Sequence, residues 1–139
     1  MSLSPQDWKD IEEKLSAAYG LVKLLIDGYK ITLAVVHIKA RRYAIMVYIN
    51  GWFRDEWTTK DCEERRRFYS RKWVYYLKRA ERERMRKYNK RHPKYNVGDP
   101  DNGFESYTPF WTSFRRLKAH LIKNNVSIER IATDDHQPV

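Results

Sequence analysis

The chain has 139 residues, 42% of them hydrophobic and 14% aromatic, and carries a net charge of +10. That length suits one domain with a real core, and the apolar and aromatic content excludes wholesale disorder. The lone Cys62 excludes an internal disulfide. The apolar runs Leu21–Ile26, Ile31–Ile38 and Ala44–Ile49 are too short to cross a bilayer, and no signal-like segment precedes them, so a cytoplasmic protein is expected.

Ser4 is placed to cap a first helix, with Pro5 at its first position and Asp7 in its first turn. Trp8, Ile11, Leu15 and Ala18 recur at spacings of three and four and form its apolar face, and Gly20 is a natural stop. From Leu21 the period changes to two. Leu21–Ile26, Tyr29–Ile38 and Tyr43–Ile49 read as strands, with Trp52–Trp57 as a fourth. Asp27-Gly28 and Asn50-Gly51 favour two-residue hairpin turns, and Lys39–Arg42 closes the middle connection. A four-stranded antiparallel meander is expected.

Thr58 to Asp61 offer caps for a short helix over Cys62–Arg66. Arg67–Tyr76 admits either extended chain or helix. Leu77–Asn89 is helical, with Glu81 and Glu83 spaced to pair with Arg84, Arg86 and Lys87. Residues 95–107, including Gly98-Asp99-Pro100-Asp101-Asn102-Gly103, read as a surface loop. Thr108 then caps a last helix with Pro109 at its first position, a stripe of Phe110, Phe114, Leu117 and Leu121, and an end at Asn124-Asn125. Val126–Ile131 adds a short strand or simply packs, and 132–139 is a frayed tail. The expected fold class is α+β: one domain over 1–131, its four-stranded sheet covered on one face by the first and last amphipathic helices. A basic helical segment projects from an edge or crosses the other face.

Charge is the most informative signal. Between Arg65 and Lys94, 14 Lys and Arg residues face two acids, a net of +12, whereas the rest of the chain sums to −2. Phe68, Tyr69, Trp73, Tyr75, Tyr76 and Tyr88 are interleaved with these cations. Clustered cations with aromatics suit a polyanion, above all nucleic acid, bound without sequence preference. The candidate contacts are Arg65, Arg66, Arg67, Arg71, Lys72, Arg79, Arg82, Arg84, Arg86, Lys87 and Arg91, joined by Arg115, Arg116 and Lys118 of the last helix. Tyr69, Trp73, Tyr75 and Tyr76 are candidates for stacking on unpaired bases, or for core. The sequence does not decide between DNA and RNA, or between single and double strands.

Other chemistries find little footing. The chain has no phosphate-binding glycine loop, no HExxH and no CxxC, and His37, His92, His120 and His136 share no metal spacing. No cofactor is expected. Asp55, Glu56, Asp61, Glu63 and Glu64 are the one acid-rich stretch, open to a divalent ion but better read as neutralising Arg65, Arg66 and Arg67. The order helix, strands, helix has the topology of the double-stranded-RNA-binding domain, but Pro109-Phe110-Trp111-Thr112 stands where that family has a lysine-rich turn.

Ala44–Phe53, Asp61–Phe68 and Trp111–Lys118 with His120-Leu121 resemble a family of small proteins carried by tailed bacteriophages and prophages, over most of the chain to Ile128. The resemblance implies a bacterial host cytoplasm and transfers no activity, fold or site residue. Within that setting a second class competes with nucleic-acid binding: a modulator or inhibitor of a host enzyme or defence complex, its basic surface docking an acidic one. A virion or architectural component is a further possibility, and oligomeric state is open.

Overall fold

The computed structural model describes residues 3–131. The chain divides into two compact units: one runs to Ser70 and resumes at Tyr107, and the other comprises Arg71–Ser106.

The first unit begins with helix α1 (Pro5–Leu15), closed by the expected capping box: the Ser4 hydroxyl accepts from the Asp7 N–H, and the Asp7 carboxylate accepts from the Ser4 N–H. Trp8, Ile11 and Leu15 are its buried face, while Ala18 lies beyond the helix end and is exposed. Strands β1 (Leu21–Ile26), β2 (Tyr29–Lys39) and β3 (Arg42–Ile49) form the expected antiparallel meander. Asp27 and Gly28 both take positive φ (47° and 89°), as do Asn50 and Gly51 (52° and 82°), the conformation of tight hairpin turns.

The expected fourth strand is absent. After Asn50-Gly51 only Trp52 bridges back to Ile49, and the chain then turns into α2 (Glu56–Thr59) and α3 (Glu63–Phe68). Strand β4 (Ser70–Tyr75), helix α4 (Arg79–Arg91) and strand β5 (Gly103–Thr108) follow. The free side of β3 is taken instead by β6 (Phe110–Trp111), which pairs Met46 with Phe110 and Ile45 with Trp111. Helix α5 (Phe114–Asn124) leads into β7 (Ile128–Ile131), which pairs with β1. The sheet therefore has five strands in the order β6-β3-β2-β1-β7, every pairing antiparallel.

The last helix starts later than Thr108-Pro109 suggests. Pro109 stays out of the helix, in a bend whose carbonyl accepts from the Val47 N–H (3.0 Å), and the indole N–H of buried Trp111 donates to the Phe68 carbonyl (3.0 Å). Ser113 is the cap, accepting from the Arg116 N–H. Alternate strand residues (Val22, Leu24, Ile26, Ile31, Leu33, Val35, Ile45, Val47, Ile49) join the α1 face, Leu117 and Leu121 of α5, and Phe68, Tyr69 and Trp111 in one core cluster.

In the second unit, β4 and β5 pair as a two-stranded ribbon beside α4. β5 occupies the end of the stretch read as a loop over 95–107, and a short 3-10 turn, Pro93–Tyr95, precedes it. Residues 98–102 are tied to α4: the Asn89 amide donates to the Gly98 carbonyl and accepts from the Val97 N–H, and the Arg86 guanidinium donates to Asp101. No helix among the described residues is long and apolar enough to cross a membrane. The expectation for 132–139 lies outside the described residues.

Candidate nucleic-acid interface

The boundary between the two units falls inside the basic segment. Arg65, Arg66 and Arg67 belong to α3 in the first unit, with Arg115, Arg116 and Lys118 of α5. The remaining candidates from Arg71 to Arg91 belong to the second.

In the first unit, three of the six candidates are engaged in holding the fold. Arg67 bonds Asp27 at 2.8 Å, Glu63 at 2.7 Å and the Asn125 side chain at 3.1 Å. The Arg65 guanidinium lies 4.0 Å from the Tyr107 ring centre with its side chain only 16% exposed. The Lys118 ammonium sits 5.3 Å from the Trp8 ring. Arg66, Arg115 and Arg116 are open to solvent or nearly so, although Arg66 faces Asp61 at 3.6 Å. His120, also of α5, uses Nε2 to donate to the Arg66 carbonyl (2.9 Å) and packs on Trp111.

The acid-rich stretch serves these arginines. Asp61 pairs with Arg65 and Arg66, Glu63 with Arg67, and Glu56 with Arg54. Among the described residues no group of three His, Cys, Asp or Glu is placed to hold a metal ion.

The second unit carries the density of charge. Its 36 residues hold eleven Lys and Arg against five acids, a net of +6. Arg71 pairs with Glu105 (3.5 Å) and Arg79 with Glu83 (3.4 Å), while Arg82 and Arg86 share Asp101. Arg82 also covers the Tyr75 ring at 3.7 Å. Lys72, Lys78, Arg84, Lys87, Lys90, Arg91 and Lys94 are exposed and, among the described residues, have no carboxylate within ion-pairing distance.

Helix geometry orders part of this set. Glu81, Arg82, Met85 and Asn89 are the half-buried residues of α4 and mark its packed side. Arg84, Lys87 and Arg91, spaced by three and four, fall on the opposite side in one stripe. The stripe spans about 10 Å of helix axis, over which duplex DNA carries roughly six charges.

The stacking candidates differ in exposure and in partners. Tyr69 is fully buried, with its ring against Trp57, and offers no face to a ligand. Burial pushes its phenol pKa well up, with Cys62 and Asp55 adding to the shift. Trp73 donates its indole N–H to the Asp101 carbonyl (3.2 Å), and Tyr75 lies under Arg82. Tyr76 remains open and is joined by Phe104, which sequence reasoning placed in a loop and passed over. Its signal would have been the turn at Gly98–Gly103 read as a return of the chain toward Trp73–Tyr76.

No protein-family model matches the chain, and neither a curated protein nor a solved structure matches it.

Proposed function

We propose that the protein binds nucleic acid through its phosphates, without preference for base sequence, using the second unit. The observation that carries this reading is the stripe Arg84, Lys87 and Arg91: three exposed cations on the side of α4 opposite its packing face, none with a carboxylate partner among the described residues. A merely solubilising surface would mix signs, whereas unpaired cations in a row suit a chain of phosphates. Arg's planar guanidinium grips phosphate through two donors at once. We take a bacterial host cytoplasm as the proposed setting, on the resemblance to small phage and prophage proteins alone.

The test is fluorescence anisotropy with single-stranded DNA, duplex DNA and duplex RNA at about 50 and 200 mM salt, a range over which several phosphate contacts lose orders of magnitude in affinity. Tight binding that weakens steeply with salt is expected. The triple variant Arg84→Glu, Lys87→Glu, Arg91→Glu should abolish it while leaving the circular-dichroism spectrum unchanged. Absence of binding to all three probes at the lower salt would refute the reading and hand the surface to an acidic protein partner.

A further inference from the structure

We infer that the face of the β4–β5 ribbon bearing Tyr76 and Phe104 is a stacking platform for unpaired bases, so that the preferred ligand is single-stranded nucleic acid; this rests on the nucleic-acid reading above. The two rings lie 5.8 Å apart at 38°, and they stay 65% and 47% exposed, respectively. Single exposed rings are ordinary on a protein surface, but two open rings side by side make a contiguous apolar patch, the feature that marks a binding site. Three other aromatics of the unit are engaged, Trp73 with Asp101, Tyr75 with Arg82 and Tyr88 with His92 at 4.6 Å, while Tyr95, 74% exposed, stands apart from the ribbon on the 3-10 turn.

The platform is held in place. The Tyr76 N–H donates to the Asn102 carbonyl at 3.1 Å, which fixes the backbone of one ring to the chain just before the other. Lys72 and Val74 share one face of β4, and Tyr76 follows in the bend just past the strand's end at Tyr75. Lys72 is exposed and has no carboxylate partner among the described residues, so the strand that leads to Tyr76 carries an open cation four residues before the ring. A ring beside a cation matches a nucleotide, whose base offers a flat face and whose phosphate offers a charge. A duplex hides those base faces in its own stack, and only an unpaired strand presents them.

The experiment compares a thymidine oligonucleotide of about 20 residues, longer than the ~4–16 nucleotides a small binding domain covers, with a duplex of the same length. Tyr76→Leu with Phe104→Leu removes both rings but keeps the sites apolar. It should weaken single-strand binding about 10- to 100-fold, leaving duplex binding and the salt slope unchanged. Tyr76→Phe and Phe104→Tyr keep a ring at each site and should bind within about twofold of wild type. An equal loss on both probes, no loss on the single strand, or a comparable loss with the ring-retaining variants overturns the platform. Duplex binding that survives such a result leaves the phosphate reading standing. No wild-type binding to either probe at low salt removes both.

Discussion

Arg67 and Asp27, 40 residues apart in the chain, meet at 2.8 Å, guanidinium Nη1 to carboxylate Oδ2. Asp27 also accepts from the N–H groups of Val126 (2.8 Å) and Ser127 (2.7 Å). One carboxylate thus joins the β1–β2 turn, α3 and the chain entering β7. Asn125 extends the network, accepting from Arg67 and donating to the Leu121 carbonyl (3.0 Å). Arg67 is therefore better understood as a structural residue than as a phosphate contact.

That junction predicts an acid limit to stability. The backbone N–H groups of Val126 and Ser127, and then Arg67, hold the Asp27 carboxyl below its ordinary range. A depressed folded value means the contribution is complete above the unfolded value of about 3.9 and is lost as pH falls through the lower folded one. Asp27→Asn keeps a side chain that tolerates the turn's φ of 47° and removes the charge. Its thermal midpoint should lie below wild type at pH 7, and it should fall less steeply between about pH 4 and pH 2. Parallel declines in that range would contradict the assignment.

Local signals and distant ones fared differently in the sequence. Ser4, Asp27-Gly28 and Asn50-Gly51 act through residues a few positions away, so the first helix, its cap and both turns were legible. Trp52–Trp57 has strand composition, but β3 has one free edge and Phe110-Trp111 takes it, guided by a hydrogen bond from Trp111 to Phe68 across 43 residues. No periodicity in a two-residue strand announces that. Charge was legible as composition only. Whether Arg65, Arg67 or Arg84 is free depends on Tyr107, Asp27 and the side of α4 it occupies, none of which a count of cations contains.

The core helix face gives a graded prediction. Leu117 and Leu121 are fully buried, whereas Phe114 is only partly so and sits 6.3 Å from the Trp8 ring at the edge of the cluster. Leu117→Ala should cost about 2–5 kcal/mol by urea denaturation, and Phe114→Ala less than expected for a fully buried phenylalanine, about 3–5 kcal/mol. A loss at Phe114 of the full ~3–5 kcal/mol of a fully buried phenylalanine would place it deeper than its exposure implies.

Tyr69 offers the opposite sign. Its hydroxyl is buried without a hydrogen-bond partner, a state that costs about 1–3 kcal/mol relative to a satisfied group. Tyr69→Phe removes the hydroxyl and keeps the ring against Trp57. The variant should match or exceed wild-type stability, by about 1 kcal/mol, and should bind nucleic acid unchanged. A clear destabilisation in urea would show that the hydroxyl is satisfied in solution.

Gly103 controls the ribbon. A Cβ there would collide with the Val74 carbonyl and come within 3.0 Å of the Trp73 indole nitrogen. The first obstacle is backbone, so Gly103→Ala must push β4 and β5 apart. Amide hydrogen exchange in the two strands should quicken about tenfold or more, equivalent to ~1.4 kcal/mol of local stability, with β1–β3 unaffected. Unchanged protection in β4 would refute the close approach.

Charge reversal on α4 should divide by face. Arg82 and Arg86 meet at Asp101, and Arg82 also lies on Tyr75, with its Nε buried and unpartnered. Glutamates at those two positions would set like charges against Asp101 and strip the cover from Tyr75. Arg82→Glu with Arg86→Glu should therefore loosen the second unit, seen as faster exchange in α4 and β4, and lose binding as a consequence. Arg84→Glu with Lys87→Glu touches no carboxylate partner and should lose binding with the exchange pattern intact. Exposed charges add little to stability, so only the first pair should move a melting curve. Identical behaviour of the two pairs would mean that the faces of α4 do not have the separate tasks of holding the unit together and meeting phosphate.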